Sequence, residues 1–244
     1  MRVRVSIQGK TREGYVSREL VEFVSASPTG VARKTTAVLP SKRRLFFALY
    51  YRVKDHAFKR AAETWEKETR QAFGFVDTQD LFLSIEVFSE SEFKAAWNRV
   101  QTESRARSAK IVQGQIFSHA SKTGEGAQNG LEFKKDTSED GTIKKNEIES
   151  LAPLDWDSNQ GYLILSGCNS GLAGNRNWTP AEVFARTQKV RTLGQSGYAY
   201  FSSSRDSYVE IDASSDVVYL WAFKRRRNGW SGSGQKMEGV TFTP

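Results

Sequence analysis

The sequence predicts an α/β protein whose central sheet is mainly parallel, with helices on both faces in a three-layer arrangement. Three observations carry that expectation. Apolar runs of strand length recur along the middle of the chain, bounded by glycine and polar turn residues. Amphipathic stretches with strong capping signals alternate with them. One of the runs, Leu45 to Tyr51, is apolar throughout, as in a strand covered on both faces.

Residues 1–41 contain two alternating runs, Val3/Val5/Ile7 and the stretch from Tyr15 to Phe23, separated by Gly9 and Gly14 and followed by Ser27-Pro28-Thr29-Gly30. They predict a β-rich lead-in packed on the main domain, which spans 42–244. The main domain opens with the strand Leu45–Tyr51. Asp55 is the expected cap of a helix with Phe58, Ala61, Ala62 and Trp65 on one stripe. Leu81–Val87 reads as the next strand. Ser89 and Glu92 form a capping box ahead of the stripe Phe93, Ala96, Trp97 and Val100. A third strand runs from Ile111 to His119.

Glycines at 124, 126, 130 and 141, with a charged stretch from Lys134 to Glu149, predict a hairpin and mobile loop over 121–160. A fourth strand runs from Gly161 to Cys168, and a glycine- and asparagine-rich turn follows. Thr179-Pro180-Ala181-Glu182 is a strong helix start, and Val190–Gly194 a short fifth strand. Tyr198–Phe201, Tyr208–Ile211 and Val217–Phe223 predict an antiparallel extension over 198–244. No internal repeat is present.

Composition narrows the function classes. Among 244 residues, 38% are hydrophobic and 12% aromatic, which suits a folded domain. No apolar run approaches the roughly 18–20 residues that span a bilayer, so no membrane span is expected. The N-terminus lacks a signal-peptide core, which predicts a cytoplasmic chain or one exported without a classical signal. A single cysteine excludes an internal disulfide and any multi-cysteine metal site, and with two histidines no metal or other cofactor is assigned. The glycines at 124, 126 and 130 do not follow phosphate-loop spacing. The net charge is +8, but the basic residues are dispersed, with short clusters only at Lys42-Arg43-Arg44 and Lys224-Arg225-Arg226-Arg227. Solvated strand ends and loops account for these better than a nucleic-acid surface does.

Two reactive side chains remain. Cys168 follows the run Tyr162-Leu163-Ile164-Leu165-Ser166-Gly167, and His119 follows Ile111 to Ser118. In a parallel sheet, sites form at the C-terminal ends of strands. A thiol beside an imidazole is the minimum of a nucleophile–base dyad. Taken singly, Cys168 would read as a small buried residue and His119 as a structural histidine; their matched settings argue for chemistry. His56, in the first turn of the first helix, reads as surface.

The segments Phe117-Ser118-His119-Ala120-Ser121 and Leu165-Ser166-Gly167-Cys168-Asn169-Ser170-Gly171, with the helix and strand after the cysteine, resemble the caspase-like cysteine peptidase clan. That clan (clan CD) contains caspases, metacaspases, gingipains and CHAT-domain proteases. The resemblance covers about residues 43–201, departs from the clan in having Ala120 where glycine usually follows the histidine, and leaves 1–41 and 202–244 unmatched. It implies a caspase-like fold and a thiol endopeptidase with Cys168 as nucleophile and His119 as base. It also implies an oxyanion hole from the backbone amides of Cys168 and Ala120, shaped by Ser118, Gly167, Asn169 and Gly171. The substrate would be a protein or peptide. Asp155, Asp157, Asp206 and Tyr198 are candidates for the pocket beside the scissile bond, and Glu210, Asp212, Tyr200 and Trp221 are further nominees. Ser166 stands where many metacaspases have an acid. A bacterial effector, toxin or defence protease, with a cognate inhibitor or immunity protein, is the setting this format suggests. The competing expectation is a catalytically inactive member, or a basic adaptor that binds a protein or nucleic-acid partner.

Overall fold

The computed structural model describes residues 2–7, 10–15, 43–54, 56–120, 130–134, 140–172, 178–223 and 239–244. The chain divides into two units, Met1–Leu39 and Pro40–Pro244. In the first, β1 (Arg2–Ile7) and β2 (Lys10–Tyr15) form an antiparallel pair with Arg2 opposite Tyr15 and Ile7 opposite Lys10. The rest of the second alternating run lies outside the described residues.

The second unit is built on a six-stranded sheet. In chain order its strands are β3 (Arg44–Tyr51), β4 (Leu81–Val87), β5 (Lys110–Phe117), β9 (Tyr162–Leu165), β10 (Arg191–Gly194) and β13 (Val240–Phe242). Their spatial order is β13-β10-β9-β5-β3-β4, parallel throughout except for β13, which runs antiparallel on the edge strand β10. Among the described residues, four helices accompany it: α1 (Ala57–Ala72), α2 (Glu90–Arg107), α3 (Lys145–Ser150) and α4 (Pro180–Gln188).

Alternation along β3 explains the layers. Leu45, Phe47 and Leu49 join Phe93, Trp97 and Val100 of α2 and Val183 and Phe184 of α4 in one core. Ala48 and Tyr50 join Phe58, Ala61 and Ala62 of α1 in the other. Both faces of the strand are therefore buried, which is why its sequence is apolar throughout.

The caps follow the sequence with one difference. Ser89 Oγ accepts the Glu92 N–H at 3.3 Å, and Glu92 in turn accepts the Phe88 N–H at 2.8 Å. Thr179 Oγ1 accepts the Glu182 N–H at 3.0 Å, with Pro180 at the first helical position. At α1 the expected cap, Asp55, lies outside the described residues. The capping position belongs to His56, exposed and left-handed at φ 54°, with no side-chain cap.

The segment expected as a hairpin and loop is partly ordered core. β6 (His119–Ala120), β7 (Leu131–Glu132) and β8 (Thr142–Ile143) form a small antiparallel sheet, and α3 follows it. Ile143, Ile148, Leu151 and Leu154 are buried among the α2 and α4 side chains. Residues 121–129 and 135–139 lie outside the description. In the C-terminal region, β11 (Tyr198–Ser202) and β12 (Tyr219–Phe223) pair as an antiparallel hairpin. The hairpin is tied to α1 by Val218 N–H donating to Thr64 Oγ1 at 2.9 Å. Tyr208–Ile211 forms no strand; it contributes only an isolated bridge between Glu210 and Ser202.

At the N-terminal edge of the sheet, Arg44 grips Asp80 through Nε at 2.8 Å and Nη2 at 2.6 Å, and donates to Phe73 O at 3.0 Å. Burial pushes the Asp80 carboxyl up, but the Arg44 hydrogen bonds, the Val76 N–H and the Arg44 charge together hold it below its ordinary value. Because the folded value is depressed, this stabilisation is present above the ordinary carboxylate range and is lost as pH falls through the folded value. Asp80→Asn is expected to cost about 2 kcal/mol at neutral pH, less than a fully buried pair because Arg44 is partly exposed. Urea denaturation at about pH 7 and about pH 3 checks this: the gap between variant and wild type should close in acid.

Candidate active site

The site starts from the register of two neighbouring strands. β5 and β9 pair in parallel, with Gln113 opposite Tyr162 and Ile116 opposite Leu165. Ser166 N–H continues the ladder, donating to Ile116 O at 2.8 Å. His119 and Cys168 each lie three residues beyond the Ile116–Leu165 pair. Equal offsets on adjacent parallel strands bring the two segments out of the sheet together.

Both strands end earlier than the apolar runs suggest. β5 stops at Phe117, and His119 begins the separate pair β6–β7, opposite Glu132. β9 stops at Leu165, and Cys168 sits in a turn over 167–171. The segments touch at Gly167. A Cβ there would lie 2.6 Å from Ala120 Cβ, 3.0 Å from Ser118 O and 3.3 Å from Ala120 N. Ala120 is buried, so its methyl occupies the space that the glycine leaves open.

The cysteine turn is fixed by hydrogen bonds. Asn169, left-handed at φ 52°, donates its N–H to Gly197 O at 2.8 Å. Gly171 N–H donates to Gln195 O at 2.9 Å. Ser170, fully buried, has its Oγ 3.0 Å from both Leu165 O and Gly167 O, and accepts the Gln195 N–H at 2.9 Å. Its carbonyl accepts the Ala181 N–H at 3.1 Å, joining the turn to the start of α4. Ser170 thus shapes the site, a role that the sequence signalled only as part of an Asn-Ser-Gly turn.

Cys168 is half-buried, and its Sγ accepts the Ala199 N–H of β11 at 3.3 Å. The same Sγ donates to the Ala199 carbonyl at 3.9 Å, so β11 holds the sulfur through both main-chain groups of one residue. His119 is exposed, with its ring against Tyr51 (centroids 5.7 Å, 71°) and Phe58 (5.1 Å, 84°). Gln115 donates through Nε2 to Ser166 Oγ at 2.6 Å just below the turn. Among the described residues, Gln115 Oε1, Ser118 Oγ and Asn169 Nδ2 are buried without a hydrogen-bond partner. Each such group costs about 1–3 kcal/mol, and all three flank the Cys168 and His119 segments.

The sheet does not bring the acidic pocket candidates to this site. Asp155 accepts the Ile111 N–H at 2.9 Å and pairs with Lys110, at the N-terminal end of β5. Asp157 caps the turn into β9, accepting the Asn159 and Gln160 N–H groups at 2.9 and 2.8 Å. Residues that precede a parallel strand lie at its N-terminal end, opposite the end carrying Cys168, so the sequence proximity of Asp155 and Asp157 to the cysteine misleads. Asp206 is exposed in the turn after β11 and lines a cleft of about 840 Å³ with Trp65, Glu68, Gln113, Arg205 and Tyr219. Glu210 and Asp212 are exposed, and Asp212 O accepts from Arg60 at 2.9 Å. Of the pocket candidates in the sequence, Tyr198 and Tyr200 flank Ala199, the residue of β11 that reaches the cysteine. Tyr200 and Trp221 pair across the hairpin, and the Trp221 indole donates to Ser204 O at 3.0 Å.

Among the described residues, no group of three or more His, Cys, Asp and Glu side chains is arranged to hold a metal ion. No described helix is long and apolar enough to cross a membrane. In comparisons with known proteins, the chain matches no family model and no curated sequence.

Proposed function

We propose that this chain is a caspase-like cysteine endopeptidase working through Cys168 and His119. The observation that carries the reading is the matched exit of the two residues from adjacent parallel strands, in segments that touch at Gly167. The hold of Ala199 on Cys168 Sγ and, among the described residues, the buried unmatched polar atoms around the turn support it further.

In the proposed reaction, His119 takes the thiol proton and the Cys168 thiolate attacks the peptide carbonyl carbon. The carbonyl oxygen becomes an oxyanion, held by the amides of Cys168 and Ala120. Collapse breaks the C–N bond, and the His119 imidazolium gives its proton to the leaving amine. Water, deprotonated by His119, then attacks the thioester, releasing the acid and restoring the thiol. Protein or peptide substrates, and a cognate inhibitor if the protein acts as an effector or toxin, belong to this same proposal.

Because the chain has one cysteine, alkylation by iodoacetamide reads Cys168 alone. The wild-type rate is expected to rise with an inflection well below the free-thiol value of about 8.5, and His119→Ala to move the inflection towards that value. A thiol that stays inert in the folded protein, or one indifferent to His119→Ala, would favour the adaptor reading instead.

A further inference from the structure

We propose that Tyr51 and Phe58 are positioning residues that hold the imidazole of His119 in the plane its proton transfers require. The inference rests on the peptidase reading above. His119 is an exposed residue on a two-residue strand, so main-chain pairing does not by itself set its ring torsion. The two aromatic rings set it. Tyr51 is the last residue of β3, and the β3–β5 register, with Tyr50 opposite Phe117, brings it level with Ser118. Phe58, in the first turn of α1, approaches the same imidazole at 84° with centroids 5.1 Å apart, while Tyr51 stands at 71° and 5.7 Å. Imidazole thus meets both walls nearly perpendicular, and rotation about its ring torsion drives it into one or the other.

The walls are themselves fixed. Phe58 packs edge-on against Phe201 of β11 at 5.0 Å, and Tyr51 against Phe133 at 5.8 Å and Phe58 at 6.0 Å. An aromatic wall also orients imidazole without occupying a ring nitrogen. Three neighbouring strand ends therefore supply the site: Tyr51 from β3, His119 after β5 and Cys168 after β9. Tyr51 ends an apolar run and Phe58 lies on a helix stripe, so both read as core in the sequence.

Alkylation of Cys168 by iodoacetamide across pH tests the proposal, with thermal unfolding as the check on folding. Tyr51→Leu and Phe58→Leu are expected to slow alkylation near neutral pH by roughly 10-fold and move its inflection towards the free-thiol value of about 8.5. Tyr51→Phe, which keeps the ring, should match wild type. Tyr51 is the less buried of the two, so Tyr51→Leu keeps the test decisive if Phe58→Leu fails to fold. If His119→Ala shifts the profile and the two leucine variants do not, the positioning role is wrong and the dyad stands. If His119→Ala itself leaves the profile unchanged, the peptidase reading fails first. A shift in Tyr51→Phe equal to that in Tyr51→Leu would assign the effect to the hydroxyl and overturn the ring clamp.

Discussion

Cys168→Ala is expected to reduce peptide hydrolysis by roughly 10⁴- to 10⁶-fold while leaving the fold intact. The magnitude follows from removing the nucleophile of a covalent mechanism, where only the binding and oxyanion contributions remain. The stability effect is small because the side chain is half-buried and its hydrogen bonds with Ala199, from the N–H and to the carbonyl, are long contacts to sulfur. Their loss is worth about 1 kcal/mol. Digestion of an unstructured protein such as casein, followed by mass spectrometry, separates the outcomes. Products at the wild-type rate from Cys168→Ala would end the nucleophile assignment, whereas loss of product with an unchanged unfolding transition is the expected pair of results.

Gly194→Ala is expected to be strongly destabilising. A Cβ at Gly194 would lie 2.6 Å from both Cα and N of Gly171 and 2.7 Å from Ala181 Cβ. The reciprocal Cβ at Gly171 would lie 2.7 Å from Gly194 O. The obstructing atoms are mostly backbone, which cannot swing aside as a flexible side chain would. Replacing glycine by alanine gains only about 0.4–1 kcal/mol through the unfolded chain. Overpacking of this kind costs about 3 kcal/mol, so the clash wins. With the net cost at about 2–2.6 kcal/mol, the melting temperature of a unit of this size should fall by roughly 4–10 °C. Because Gly171 closes the turn that carries Cys168, alkylation of the thiol should change in the same variant. An unaltered melting temperature would show that β10 and the turn can separate at no cost.

Much of the α/β body was legible in the sequence because its signals are local. The apolar run at Leu45–Tyr51 became β3, and the Ser89 and Thr179 caps started α2 and α4. Leu81–Val87 coincides with β4. The failures have physical causes. α3 is short and strongly charged, and its helical identity depends on burying Ile148 against α4, a tertiary effect. β13 is three residues long and becomes a strand only by pairing with β10. The pocket acids were drawn by nearness in sequence, while the direction of parallel strands sends Asp155 and Asp157 to the far edge. Ala199 was invisible as a site residue because its contribution is a main-chain N–H, which any residue type could offer.

The shared offset of His119 and Cys168 from the Ile116–Leu165 pair has an evolutionary corollary. The placement of the two groups starts from a shared hydrogen-bonded rung, not from the length of chain between them. Adding or deleting one residue within the paired stretches Gln113–Ile116 or Tyr162–Leu165 slips the exit of one segment by about 3.3 Å and reverses its face. Length changes in the connection between the strands leave the rung untouched. Descendants of this chain can therefore vary widely in what they insert after Ala120, yet they inherit the two short rulers on either side of it unchanged in length.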